Sequence, residues 1–334
     1  MKKKSQKGFT LVELLLAMAI SLVVMSAIFK TFKSQQDTYM IQEQVSVMQQ
    51  NLRGAMYILT RDLKLAGYYT NFDRNTRTLN WDDRGGTEAI RPLIYAGDNV
   101  SATGIKPDTD TITIVKSGNE NRRLKPGESA TRGAPGTATI YLSDWVDDGG
   151  VPRDARDLDG DGNKDLNDDT KRFGLLVQSD LRAADFFEIP EGSVGLDIVP
   201  PGGLVHSYTT GDLICRVDVI LYKVDDQNPA GPNLVRANLG DSSGAITIAE
   251  NIDNLQFRYQ LNGGAWTDDP AGNEARIRAV RVFMLARSAH GHRGYSDTHS
   301  YDLANYPGPN PPNDPHRRKL LCSTVKTRNI GLTE

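Results

Sequence analysis

The sequence predicts an α+β fold: one long N-terminal helix packed on an antiparallel β-sheet head that carries long loop insertions. Three observations predict it. An apolar run, Phe9–Phe29, lies behind four lysines, and helical periodicity continues past it with no proline before Pro92. After about residue 70 the pattern changes to short β-rich runs separated by turns. The 31 glycines and 16 prolines supply those turns and argue against an all-helical body.

The first element is the apolar helix. Phe9–Phe29 holds a single charge, Glu13, and at 1.5 Å per residue spans about 30 Å, enough to cross a bilayer. Lys2, Lys3, Lys4 and Lys7 before it favour a cytoplasmic N-terminus. A secretory signal has a shorter apolar region and a small-x-small cleavage site. Here the run begins abruptly after Gly8 and the helix continues, so the segment reads as an anchor. A carboxylate near its embedded part costs about 3 kcal/mol, so Glu13 calls for a partner. That partner is interfacial water or, if the chain is cut after Gly8, the new ammonium of Phe9. The ammonium would lie four residues away on the same helix, or on a neighbouring helix, where the pair would set axial register.

The helix then becomes amphipathic. Val45, Met48, Leu52, Ala55, Leu59 and Ala66 recur at helical spacing, with Gln42, Gln49, Gln50, Arg53, Thr60 and Arg61 between them. A one-sided apolar stripe of this kind belongs to a helix packed on a sheet, and Gly67 is the expected terminus. Strands are expected at Thr111–Val115, Thr137–Leu142, Leu213–Val224, Ala245–Ile248, Leu255–Leu261, Ile277–Ala286 and Lys319–Val325. The organisation is therefore a basic leader (1–8), a membrane or filament-core helix (9–29), an amphipathic continuation (30–68) and one β-rich domain (70–334). That domain carries an acidic insertion at 144–169 and a Pro/His-rich loop at 287–315, which is either an exposed recognition loop or one draped over the sheet.

Composition narrows the function. Lys+Arg 39 against Asp+Glu 42 gives a net charge of −3, with no basic excess for nucleic acid, and 7% aromatics are too few for a stacking platform. There is no phosphate-binding P-loop, no H-E-x-x-H and no dinucleotide glycine fingerprint. Gly240-Asp241-Ser242-Ser243-Gly244 fits G-x-S-x-G formally, but a strand follows it where a nucleophile elbow needs a helix. Nothing in the sequence argues for an enzyme.

Lys7-Gly8-Phe9-Thr10-Leu11-Val12-Glu13-Leu14 closely resembles the type III signal of type IV prepilins and type II secretion pseudopilins. The resemblance implies a type IV pilin-like fold and an inner-membrane prepilin peptidase that cuts between Gly8 and Phe9 and methylates the Phe9 amine. Losing the four leader lysines would leave a side-chain charge of −7. The stretch from Asn51 to Tyr68, Glu250–Tyr259 and His316–Asn329 also resemble PilW-type minor pilins, the first of them J-type pseudopilins as well. What this implies is a minor pilin of a type IV pilus that helps to prime assembly in a tip-associated complex. Its partners would be other minor pilins, the major pilin, the peptidase and the inner-membrane assembly platform. The protein would sit in the bacterial inner membrane with its head in the periplasm, then in the pilus at the cell surface. A J-type pseudopilin of a type II secretion system and a pilus-tip adhesin are the alternatives.

Residues 144–169 hold ten aspartates and three basic residues. Within them, Asp157, Asp159 and Asp161 occupy positions one, three and five of an EF-hand-like loop, and Gly162 stands sixth, where the sharp turn needs it. Asn163 would give its carbonyl, Asp165 sits at nine, and Asp168 takes twelve in place of the longer Glu. Such oxygen ligands suit calcium, in a structural role. Cys215 and Cys322 both fall on expected strands. They form either a disulfide, in an oxidising compartment, or two separate thiols. His290, His292 and His299 share the Pro-rich loop with nothing to orient them as zinc ligands.

Overall fold

From Leu11 to Leu65 the chain is one α-helix, as the absence of proline and the apolar periodicity require. The computed structural model describes residues 10–67, 79–81, 89–91, 93–123, 140–141, 145–146, 152–153, 172–178, 184–189, 197–198, 204, 206–209, 211–229, 231–239 and 244–327. The chain divides into two units, Met1–Met48 and Gln49–Glu334.

In the first unit, every residue from Thr10 to Met40 is exposed. The polar side chains of this stretch bond back into the helix: Ser21 Oγ donates to Ala17 O at 2.8 Å, Thr31 Oγ1 to Ala27 O at 3.0 Å and Thr38 Oγ1 to Ser34 O at 2.8 Å. Leu11 is 75% exposed, and the same surface continues through Leu14, Leu15, Leu22, Val23 and Phe29. Apolar surface on this scale is stable only in lipid or against other subunits.

In the second unit the expected stripe is the buried face. Leu52, Ala55, Leu59 and Ala66 are buried, joined by Met56 and Leu63. Gly67 ends the helix with φ at 73°, a left-handed conformation that glycine adopts without strain, and its N–H donates to Val115 O at 3.0 Å. The helix stop is thus also its first bond to the sheet.

Among the described residues, nine strands form that sheet: β1 (Leu79–Trp81), β2 (Ala89–Arg91), β3 (Ile94–Val100), β4 (Thr109–Arg123), β8 (Arg172–Val177), β9 (Ala184–Ile189), β11 (Leu213–Asp225), β12 (Asn233–Asn238) and β13 (Ala245–Glu250). The organising strand is β11. One edge pairs with β4 from Leu213↔Arg123 to Tyr222↔Ile112. The other edge is shared, with β8 on Leu213–Val217 and β12 on Ile220–Asp225. Ile220, Tyr222 and Val224 are buried while Leu221, Lys223 and Asp225 are half-buried, the period of two that the sequence shows. A second sheet has the order β15-β14-β16-β17, with β14 at Ile252–Leu261, β15 at Trp266–Thr267, β16 at Ile277–Arg287 and β17 at Arg318–Lys326. Two small ribbons pair β5 (Ile140–Tyr141) with β10 (Asp197–Ile198) and β6 (Trp145–Val146) with β7 (Pro152–Arg153). Among the described residues all pairings are antiparallel except β1 with β9.

The turn before β4 joins the two sheets. Asn254 Nδ2 and Gln256 Nε2, from β14, donate to Asp108 O at 3.1 and 3.0 Å. Asp110 accepts the Asn99 N–H at 2.9 Å and the Phe257 N–H at 2.7 Å. Burial pushes the Asp110 carboxyl up to about 7, against those two bonds and helped by Asp98 and Asp268.

Every expected strand is present, with Thr137–Leu142 described only as β5. The Pro/His-rich loop is draped, not free. Leu303 is buried with Phe283 and Leu285 of β16, and Tyr301, Ala304, Tyr306 and Leu320 pack around them. The disulfide is not formed. Cys215 is buried on β11 of the larger sheet and Cys322 is exposed on β17, the edge strand of the other, and both are free thiols. Strand placement alone had brought them together, and the two strands belong to different sheets.

Candidate assembly site

The N-terminal site is built on Thr10 and Glu13. Thr10 precedes the first helical residue, and T-x-x-E ahead of an apolar run is a capping box. The backbone N–H and hydroxyl of Thr10 donate to Glu13 Oε2 at 2.9 and 3.0 Å, and Glu13 N–H donates to Thr10 Oγ1 at 3.3 Å. The carboxylate thus has a local partner that charge reasoning alone missed, though the motif is legible in the sequence. Its remaining lone pairs and its negative charge at a helix N-terminus leave it able to meet a cation. Gly8 and Phe9, the cleavage and methylation residues, lie outside the described residues.

A second constellation locks the amphipathic half of the helix to the sheet. Asp62 lies on the stripe, three residues after Leu59 and four before Ala66, and is buried. It accepts from Tyr222 Oη at 2.6 Å, Arg236 Nε at 2.9 Å and Lys116 Nζ at 3.1 Å, from β11, β12 and β4 in turn. Burial works against the carboxylate, but the Tyr222 hydroxyl, Lys116 and Arg236 outweigh it and hold Asp62 below the usual range. A buried charge is tolerable only when paired in this way.

A third constellation clamps the loop. Arg318, at the first position of β17, donates from Nε to Asp253 at 2.7 Å and from Nη1 and Nη2 to Asp314 at 2.6 and 2.5 Å, with Asp297 at 3.4 Å. Lys106 Nζ adds a contact to Asp253 at 2.8 Å, and Tyr301 Oη donates to Asp297 at 2.9 Å. The Arg318 bonds hold Asp314 down at about 2. Burial pushes Asp253 up, but Lys106 and Arg318 more than offset it and hold it low.

These carboxylates predict a bounded stability profile. Depressed groups contribute stability that is present above about pH 4 and lost as pH falls toward 2. Asp110 is raised, so its contribution is present below about pH 4 and lost as pH rises through about 7. Denaturant melts across pH are expected to peak between those limits, and Asp110→Asn to flatten the alkaline side. An unchanged alkaline side in that variant would refute the assignment.

The remaining expected sites are dispersed or lie elsewhere. Asp157, Asp159, Asp161, Asn163, Asp165 and Asp168 fall outside the described residues, as do residues 240–243 of the G-x-S-x-G match. His290 and His299 are exposed, and His299 stands edge-on to the Tyr301 ring at 4.9 Å. Among the described residues, no group of three or more His, Cys, Asp or Glu is placed to hold a metal ion.

Residues 3–29 match the family described as the prokaryotic N-terminal methylation motif. Residues 221–329 match the family described as Type IV Pilus-assembly protein W, a span that contains Tyr222, Arg236 and Arg318 with its carboxylate partners Asp253, Asp297 and Asp314. No curated protein matches the chain. Among solved structures, a type IV-like pilin from Thermus thermophilus is similar at 16% identity and a TM-score of 0.25, over 48% of this chain and 86% of that one. The chain thus carries a prokaryotic N-terminal methylation motif at its start and a segment similar to the type IV pilus-assembly protein W family in its head.

Proposed function

We propose that the chain is a minor pilin: held in the inner membrane with its head in the periplasm, cut after Gly8, methylated at Phe9, and incorporated at low copy. There it helps to prime assembly in a tip-associated complex with other minor pilins and the major pilin, docked on the inner-membrane assembly platform. The observation that carries this reading is the methylation motif continuing into a helix whose apolar surface has no cover of its own. A J-type pseudopilin would share that chemistry. The assembly-protein match over residues 221–329 supports the pilus over the secretion machine.

Intact mass and N-terminal sequencing of protein from native membranes and sheared filaments test it. A start at methylated Phe9 in the pilus fraction is the expected result, and a start at Met1 under piliating conditions would overturn it. Gly8→Ser is expected to leave the leader uncut, seen as an unshifted mass.

We further propose that Asp157, Asp159, Asp161, Asn163, Asp165 and Asp168 bind calcium, since five carboxylates in twelve residues repel one another without a cation. Free calcium at 100 times its dissociation constant would stabilise the fold by about 2.7 kcal/mol. The full chain is expected to melt higher in calcium than in chelator, and Asp159→Ala to abolish the difference. Equal melting of the wild type in both would remove the proposal.

A further inference from the structure

Asn262 and Gly263 form the corner of the turn that joins β14 to β15, and theirs is the one Asn-Gly pair in the sequence. Gly264 N–H donates to Leu261 O at 3.0 Å and Leu261 N–H to Ala265 O at 2.9 Å, which closes the turn. Gly263 stands at its third position with φ at 106°, which glycine adopts without strain. The Asn262 backbone N–H donates to Arg276 O at 2.8 Å. Asn262 is exposed, and among the described residues neither its side-chain amide nor the Gly263 N–H makes a hydrogen bond. A Cβ built at Gly263 or Gly264 would meet nothing within 4 Å, so the backbone there has room to reorient.

Such a pair has a reaction of its own. The backbone nitrogen that follows an asparagine can attack the carbonyl carbon of that asparagine's side chain. Three features normally prevent it: a Cβ on the following residue, a hydrogen bond on the attacking N–H, and a bonded side-chain amide. All three are missing at Asn262 and Gly263. Every other asparagine in the sequence is followed by a residue with a Cβ. Asn273, close by, precedes Glu274 and holds its side chain on Ala271 O and Arg276.

We propose that Asn262 is a self-modification site, converted through a succinimide to isoaspartate in the folded head. Solvent base takes the proton of the Gly263 N–H, and the nitrogen bonds to Asn262 Cγ. The Cγ–Nδ2 bond breaks, and Nδ2 leaves as ammonia. Water then opens the ring. Attack at Cγ gives an ordinary aspartate, while attack at the backbone carbonyl carbon leaves Gly263 attached through Cγ, which is isoaspartate. No electrons are exchanged, and water is the only co-reactant.

The product changes one face of the head. A carboxylate stands where an amide stood, and isoaspartate adds a carbon to the backbone of a tight turn. Since β15 pairs with β14 only at Tyr259↔Thr267 and Gln260↔Trp266, a turn altered in length loosens it. Trp266 holds the guanidinium of Arg281 over its ring at 4.5 Å. Loss of β15 therefore leaves Arg281 on Thr324 Oγ1 alone, at 3.2 Å, and opens its charge to a neighbour. The reaction needs neither N-terminal processing nor a metal, so its failure leaves the proposed function standing.

The test is incubation of the full chain in detergent at neutral and mildly alkaline pH, then trypsin cleavage and tandem mass spectrometry. A sample digested at the start sets the baseline. Cleavage at Arg258 and Arg276 releases Tyr259–Arg276, which carries Asn262 and, as an internal control, Asn273. The expected result is the mass gain of an amide-to-acid exchange at Asn262 and none at Asn273, faster as hydroxide rises, with isoaspartate the major product. The folded rate is expected to lie within about tenfold of the denatured chain's, because an exposed turn opens at little cost. Asn262→Gln, whose longer side chain closes the ring poorly, is expected to show no gain at this site and to melt as the wild type does. Modified protein, separated by ion exchange, is expected to exchange amide hydrogens faster at Trp266 and Thr267 and unchanged in β16. A folded rate below that limit, or equal gain at Asn262 and Asn273, would overturn the site. Unchanged exchange in β15 would overturn its effect on the strand.

Discussion

Asp62→Ala is expected to destabilise the head by about 3–5 kcal/mol, the cost of removing one partner from a buried charge cluster. The loss strands Arg236 and Lys116 beside apolar surface and leaves the Tyr222 hydroxyl, itself fully buried, without its acceptor. At roughly 2–4 °C per kcal/mol for a domain this large, the melting temperature is expected to fall by about 10 °C. Tyr222→Phe removes one hydrogen bond to a charged group and is expected to cost about 1.5–3 kcal/mol. If Asp62→Ala melts within about 2 °C of the wild type, the cluster is not what fixes the helix to the sheet.

Glu13→Val is expected to leave membrane insertion intact, since it removes the one charge of the apolar run, and yet to deplete the protein from sheared filaments about tenfold. Interpretation depends on the capping box. Glu13 bonds Thr10 within its own helix, so its loss also uncaps that helix, at about 1 kcal/mol. Glutamine at this position still caps but carries no charge. Glu13→Gln is therefore expected to be nearly as depleted as Glu13→Val if the carboxylate meets the Phe9 ammonium of a neighbour. Thr10→Ala, which keeps the charge and loses a cap oxygen, is expected to be affected much less. Wild-type incorporation of Glu13→Gln, judged by immunoblot of the filament fraction, would reduce Glu13 to a helix cap and sink the register argument.

The sequence made legible what depends on periodicity and local chemistry. The helix, its buried stripe and its stop at Gly67 follow from spacing alone, as do β11, β14, β16 and β17, whose long β-branched runs alternate or fill a core. The strands at Ile94–Val100, Arg172–Val177, Ala184–Ile189 and Asn233–Asn238 were not legible. Ala96-Gly97-Asp98-Asn99 reads as a turn, Gly174 interrupts its run, and Asn233–Asn238 is flanked by asparagines. Tertiary pairing decides them instead, β3 with β4, β8 and β12 with β11, and β9 with β8. The charge clusters divide in the same way. Asp62 is conspicuous as a carboxylate on an apolar stripe, but its partners lie 54, 160 and 174 residues away, and no local rule reaches them. Arg318 needs the loop to fold back before its three carboxylates converge.

The two unlinked thiols have a practical consequence. Burial pushes the Cys215 thiol up to about 12, so in the folded protein it holds its proton and is sheltered from reagents. Cys322 stands open on the edge strand. A colorimetric thiol assay is expected to count one group in native protein and two in denaturant, whereas a bonded pair would count none. The chain thus carries its own orthogonal handles: a surface position that accepts a fluorophore or spin label without mutagenesis, and an interior one whose slow alkylation clocks the opening of the sheet.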